Sequence, residues 1–281
     1  MSNILQAINN IFNCNVLSAR KHYRENNRAN SMGEALEYFV KDSFANSYDL
    51  SREEAAIRYK QEFSWLGNAN NPPDFILKNG DAIEVKKVQN ANSALALNSS
   101  YPKSKLYSDS SLIVGSCRNC EHEPWIEKDI IYAVGVVNDE EIKQLCFVYG
   151  TEFAASREVY ERIRCKIKEG VLEISDIEFS SSTNELGRVN RVDPLGITYL
   201  RIRGMWHIEN PIKLFRYIYS GNKNARFQFM AIIGKEKFDS FPMRDKKLIF
   251  DNTGIIVTNT QVYNPDNPAH MKEVYLIMFS R

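Results

Sequence analysis

A chain of 281 residues with 43% hydrophobic and 25% charged residues has the composition of a globular protein, long enough for one large domain or two smaller ones. A net charge of +1 excludes a protein that coats nucleic acid through a large basic excess, but it leaves room for a basic cleft on a balanced surface. No apolar run approaches the roughly 18 residues that span a bilayer. The start Met1-Ser2-Asn3-Ile4-Leu5 lacks a signal-peptide pattern, and five irregularly spaced cysteines suit a reducing cytoplasm, the expected location.

No repeat, low-complexity tract or Pro/Gly/Ser linker divides the chain, so a single domain over 1–281 is expected. Helical spacing runs from Ile4 to Phe12. The basic stretch that follows, with Arg20, Lys21, Arg24 and Arg28, suits DNA backbone or a partner subunit. Ser31 and Glu34 form a capping box for a helix to about Phe44, with Met32, Leu36, Phe39, Val40 and Phe44 as its apolar stripe. Glu34 is thereby structural. Glu37 sits at the margin of the stripe, where an acid can reach toward an adjoining sheet; a surface pair with Lys41 is the plainer alternative.

The run Pro72-Pro73-Asp74-Phe75-Ile76-Leu77-Lys78-Asn79-Gly80-Asp81-Ala82-Ile83-Glu84-Val85-Lys86 reads as strand, tight turn, strand. Asp74, Glu84 and Lys86 are what a metal-dependent phosphodiesterase site needs: acids to hold a hard divalent cation and an ammonium beside the attacking water. The register decides whether they can meet. With Asn79-Gly80 alone as the loop, Asp74 falls opposite Val85, and Glu84 points to the other face. A three-residue loop, Lys78-Asn79-Gly80 with Gly80 left-handed, puts Asp74 opposite Glu84, at the roughly 4.5–5.5 Å Cβ separation of cross-strand pairs. The odd-length loop is therefore predicted, with Lys86 beside Glu84 and with Phe75, Ile83 and Val85 facing the core; a bend or bulge near Asp74 would serve the same end.

Beyond the hairpin, Ser93, Asn98, Ser99, Ser100, Lys103, Ser104 and Lys105 combine short polar side chains with two ammonium groups, a mix suited to phosphates near a scissile bond. Cys117-Arg118-Asn119-Cys120-Glu121-His122 supplies half of a zinc site with no second half in the sequence. Buried strands are predicted at Ile130–Val137 and Leu145–Tyr149, with Asn138–Lys143 a polar turn between them. An amphipathic helix is predicted from Phe153 to Lys168, stopped at Gly170. Further strands are predicted at Ile197–Ile202, Phe227–Ile233, Gly254–Thr258 and Val274–Phe279. The fold class is α/β, a mixed central sheet flanked by helices, with the site toward one edge.

Arg188, Asn190, Arg191, Arg201 and Arg203 gather in a segment with few acids. Arginine can bond guanine O6 and N7 bidentately in the major groove. Asp193 could accept from a cytosine amino group or orient an arginine. A solvated strand face, with arginines paired to Glu185 and Asp193, is the alternative.

Several blocks, in order, resemble the NgoPII family of type II restriction endonucleases within the PD-(D/E)xK nuclease superfamily. They are 27–37, 71–74, 77–87, 93–106 and Glu185-Leu186-Gly187-Arg188-Val189-Asn190-Arg191-Val192-Asp193-Pro194-Leu195, continuing to Arg203-Gly204-Met205-Trp206. The resemblance implies a catalytic core over about 31–150 and DNA-recognition elements at about 90–108 and 185–206. It also implies a Mg²⁺-dependent homodimer that cuts both strands of double-stranded DNA at a palindrome, GGCC for this family, beside a cognate DNA methyltransferase in a restriction-modification system. The superfamily pattern makes Asp74 and Glu84 the metal ligands, with Lys86 and Glu37 completing the catalytic set. A repair nuclease directed by DNA structure, or a non-catalytic DNA-binding protein on the same fold, would share the hairpin pattern.

Overall fold

The computed structural model describes residues 2–14, 22–23, 31–68, 71–98, 100–138, 141–174, 178–179, 185–222 and 224–281. Arg20, Lys21, Arg24, Arg28 and Ser99 lie outside these residues.

Among the described residues the chain begins with helices α1 (Ile4–Asn13), α2 (Met32–Ala45) and α3 (Arg52–Glu62). The Asn3 side chain caps α1 by accepting from the N–H groups of Leu5 and Gln6. The Ser31–Glu34 capping box of α2 is formed in both directions, and Leu36, Phe39, Val40 and Phe44 are buried, with Met32 packed at the margin. The α3 helix escapes a search for apolar stripes because only Ala55 and Tyr59 are buried; its own capping box, Ser51 with Glu54, was the available signal.

Strands β1 (Phe63–Asn68), β2 (Asn71–Leu77) and β3 (Ala82–Val88) follow, then β4 (Leu95–Asn98), β5 (Lys105–Tyr107) and a short α4 (Gly115–Arg118). Next come β6 (Glu127–Asn138), β7 (Glu141–Tyr149), α5 (Gly150–Phe153) and α6 (Arg157–Leu172). The short strands β8 (Glu178–Phe179), β9 (Gly187–Asn190), β10 (Leu200–Ile202) and β11 (Met205–Ile208) precede α7 (Pro211–Leu214). The chain closes with β12 (Gln228–Gly234), α8 (Lys235–Ser240), α9 (Met243–Phe250), β13 (Ile256–Tyr263) and β14 (Met271–Ser280).

The central sheet runs β1-β2-β3-β6-β7-β12-β14-β13, with β5 on the end of β6. The β3–β6 and β7–β12 pairs are parallel and the rest antiparallel, so the sheet is mixed as predicted. Strand β6 is apolar from Ile130 to Val137 because both faces are covered there. Ile131 and Ala133 face the core beneath α1 and α2, whereas Ile130, Tyr132 and Val134 face a second core with Leu95, Leu106 and Phe153. Two smaller ladders lie apart: β10-β9-β8, and β11 with β4.

Some predicted boundaries move. Strand β7 begins at Glu141, inside the expected polar turn, because Ile142 is buried opposite Val137. The helix expected over Phe153–Lys168 is two helices, and Gly170 lies within α6 rather than ending it. Val159, Ile163 and Ile167 are each about two-fifths exposed (39%, 42% and 41%), so the apolar stripe of α6 is not a core stripe. Strand Ile197–Ile202 shortens to Leu200–Ile202.

Gly150, where β7 passes into α5, allows the chain that carries Lys103 to approach closely. A Cβ at Gly150 would stand 2.4 Å from the carbonyl oxygens of both Lys103 and Ser104. Neither oxygen belongs to a side chain that can swing away. Gly150→Ala should therefore destabilise the protein by about 1–3 kcal/mol in urea unfolding, by displacing the 103–104 segment. An unchanged midpoint would show that this contact is not tight.

Candidate active site

The β2–β3 hairpin has the three-residue loop that the register argument requires. The Leu77 N–H donates to the Asp81 carbonyl at 2.9 Å, and the Gly80 N–H donates to the Leu77 carbonyl at 2.9 Å. Phe75 then pairs with Ile83. The left-handed residue is Asn79, at φ 53°, and not Gly80 as expected. Lys78 and Asn79 form the corners of the turn, and asparagine tolerates positive φ at the second corner. Phe75 and Ile83 are fully buried and Val85 packs against the same core.

Two contacts fix this hairpin from outside. Glu121 Oε1 accepts from the Asn79 N–H (3.0 Å), from Ser64 Oγ (3.0 Å) and from Lys128 Nζ (2.7 Å), clamping the turn. That is the structural use of the Cys117–His122 segment, whose two cysteines are free thiols. Trp65 Nε1 donates to the Pro73 carbonyl at 3.0 Å, one residue before Asp74.

Past Phe75 and Ile83 the ladder stops. Asp74 Oδ2 instead accepts from the Val85 N–H at 2.6 Å, bringing its carboxyl beside Glu84. Lys86 Nζ donates to Glu84 Oε1 at 2.6 Å. Asp74, Glu84 and Lys86 line one cavity of about 250 Å³, together with Ser100, Lys103 and Tyr132. Burial first, and Glu84 second, push the Asp74 carboxyl up to about 7, against the pull of Lys86 and the Val85 N–H. Burial pushes the Lys86 ammonium down, but Glu84 and Asp74 outweigh it, and the net direction is up. Glu84 Oε2 is buried with no hydrogen-bond partner. An orphaned carboxylate oxygen beside a carboxyl that resists ionisation is a donor pair suited to a hard divalent cation.

Glu37 is not brought into that cavity. Its helix covers the face of the sheet that carries Ile83 and Val85, and Glu84 points to the opposite face. Glu37 pairs with Lys41 at 2.5 Å, although its charge still acts on Asp74 and Lys86. Among the described residues, no three His, Cys, Asp or Glu side chains gather to hold a metal.

The arginine-rich segment forms an exposed arm. Arg188 on β9 and Arg201 on β10 are direct cross-strand partners, and Arg188 also lies over the Tyr199 ring at 5.8 Å. Glu185 accepts from Arg201 and Arg203, each at 2.6 Å for the shorter contact, which holds both guanidiniums in place. Arg191 has φ 50° at the start of the connecting loop, where Asp193 accepts from the N–H groups of Leu195 and Thr198 and shapes the turn. Asn190 ends β9, paired with Glu178. The arm is joined to the cavity: β11 pairs with β4, Met205 with Asn98 and Trp206 with Leu97, and Leu97 lines the cavity. The Asn98 side chain is outside the described residues. Lys105 lies on the far side, paired with Glu127.

Sequence reasoning missed Tyr132, Trp65 and Glu121. Tyr132 had one signal, a lone hydroxyl within an apolar strand.

A mixed sheet that carries two carboxylates and a lysine on one hairpin, with a basic arm beside them, is the architecture of a restriction-type endonuclease. The family model for the NgoPII restriction endonuclease matches residues 2–263. A type II restriction enzyme, NgoPII of Neisseria gonorrhoeae, is 49% identical over 278 residues, covering 99% of each chain. The chain belongs to the NgoPII restriction endonuclease family, and so to the type II restriction enzymes. No solved structure matches it.

Because the carboxyl of Asp74 titrates near 7 when folded and near 4 when unfolded, the folded state holds the extra proton between these values. In the absence of divalent cations its contribution is fully present below about pH 4 and is lost as pH rises through about 7, by roughly 4 kcal/mol. Asp74→Asn should flatten that slope in urea unfolding at pH 5 and pH 8, and stabilise the metal-free protein at pH 8. An unchanged slope would contradict the assignment.

Proposed function

We propose that this protein is a Mg²⁺-dependent type II restriction endonuclease that hydrolyses both strands of DNA at a short palindrome, GGCC by its family relationship, leaving 5′-phosphate and 3′-hydroxyl ends. The observation that carries the reading is the Asp74–Glu84–Lys86 cavity. Type II restriction enzymes typically use a divalent metal, and Asp74 and Glu84 are the residues to hold it. When bound, Mg²⁺ supplies positive charge that polarises the phosphate and eases deprotonation of water. Water and phosphate oxygens would complete the ligand set, as is usual where Mg²⁺ takes only one or two carboxylates.

Lys86, held charged by Glu84, orients the attacking water. Attack is in line on phosphorus with the 3′ oxygen leaving. Glu37 acts on the site through its charge or through water. Arg188, Asn190, Arg191, Arg201 and Arg203 contact DNA from the arm, where a two-stranded ribbon fits the major groove. Asn98, Ser99 and Lys105 contact DNA phosphates. A palindrome implies a two-fold homodimer. A cognate methyltransferase and a cytoplasmic location complete the biological setting; among the described residues no helix is long and apolar enough to cross a membrane.

Digestion of a sequenced plasmid with Mg²⁺, followed by mapping of the cut ends, tests activity, target and end chemistry together. Asp74→Ala and Lys86→Ala should each lower cleavage by at least about 10³-fold, with specific binding kept. Retained cleavage in either would sink the reading. Arg201→Ala should weaken binding of the target duplex by about 1–3 kcal/mol, with less effect on a scrambled duplex in the same titration. Equal weakening of both would mark Arg201 as a phosphate contact.

A further inference from the structure

Lys103 reaches the cavity from the segment after β4 and shares it with Asp74, Glu84 and Lys86. Its neighbours among the lysines are already committed to carboxylates: Lys86 to Glu84, Lys41 to Glu37 and Lys105 to Glu127. Lys103 Nζ instead donates to the Ser100 hydroxyl, and no carboxylate pairs with it among the described residues. Burial pushes its ammonium down, while Glu84 across the cavity draws it up and Lys86 opposes. A half-buried ammonium with no direct carboxylate partner favours an anion that arrives to share the space.

The position is fixed with unusual care. The Tyr132 hydroxyl accepts from the Lys103 N–H at 2.7 Å and donates to the Lys103 carbonyl at 3.3 Å, gripping one residue from both sides. Tyr132 stands on β6 directly beside Glu84 on β3. The strand that carries the catalytic acid and the backbone of Lys103 are thus joined through one phenol. Gly150 closes the other side, in contact distance of the Lys103 and Ser104 carbonyls.

We propose that Lys103 is a catalytic residue that donates to a non-bridging oxygen of the scissile phosphate, and that Tyr132 is the positioning residue that holds it there. As the bond from water oxygen to phosphorus forms and the bond to the 3′ oxygen breaks, charge grows on the phosphate oxygens. Lys103 offsets that charge and transfers no proton. This rests on the reading of the cavity as the hydrolytic site, and it assigns Lys103 to the reaction rather than to general grip on the duplex.

The test uses full-length protein and a duplex that carries its mapped target, with single-turnover cleavage in Mg²⁺ and affinity measured in Ca²⁺. Lys103→Met should lower the cleavage rate by about 100-fold or more, with affinity within about threefold of wild type. Tyr132→Phe should lower the rate by about tenfold at unchanged affinity, and should add no further loss in the Lys103→Met background. Cleavage by Lys103→Met within about threefold of wild type overturns the proposal. So does a loss of affinity as large as the loss of rate, which would make Lys103 a duplex contact. Additive effects of the two variants overturn the role of Tyr132. If Lys103→Met does not fold, as judged by thermal melting, Tyr132→Phe decides alone, and a wild-type rate in it overturns the proposal. Asp74→Ala is assayed alongside: cleavage by that variant defeats the site itself, whereas its inactivity beside an active Lys103→Met defeats only the present inference.

Discussion

Two carboxyl groups forced into one desolvated space are the constraint around which this molecule is arranged. Asp74 and Glu84 would repel each other in any hairpin that merely placed them side by side, and burial makes the repulsion worse. The surrounding structure holds them regardless. The Val85 N–H fixes one oxygen of Asp74, Lys86 neutralises one oxygen of Glu84, and the remaining Glu84 oxygen is left without a partner. The orphaned Glu84 oxygen and the reluctant Asp74 carboxyl are groups that a cation would stabilise. The rest of the sheet and the helices over it provide the rigidity that keeps the two groups from turning away to water.

Much of this was legible from residue order alone. The hairpin could be derived because a sheet alternates with period two, so residues 74 and 84 meet only through an odd-length loop or a compensating bulge. The α2 cap and stripe were equally readable, since Ser31, Glu34 and the apolar spacing are all local. What escaped depended on distant chain. Tyr132 meets Lys103 only because β6 lies beside β3, a parallel pairing that no local pattern encodes. Glu121 reaches Asn79 across 42 positions, and the cysteines beside it drew attention to metal chemistry instead. The location of the positive φ, at Asn79 rather than Gly80, was a choice between two permissive residues that the sequence leaves nearly balanced.

The arm shows the limit of charge reading in a different way. Four arginines suggested DNA, and also the plainer outcome that acids would pair with them. Both features are present: Glu185 takes two of the guanidiniums, yet all four stay at the surface. A carboxylate that pins two guanidiniums lowers the entropy they lose on meeting a base edge. Glu185 is therefore compatible with the proposed recognition, and its pairing leaves the arginines exposed.

The exposed character of that arm has an evolutionary consequence. From Arg191 to Arg203 no residue is buried, while the ladder that anchors it relies on Leu95 and Leu97, which are. Substitutions at the exposed positions cost the fold little, typically within about 0.5 kcal/mol. Substitutions in the anchoring strand would disturb the cavity wall. The molecule thus separates what can drift from what cannot: under the role proposed for the arm, a lineage can revise its contacts to DNA one residue at a time, at little cost in folding and without disturbing the cavity.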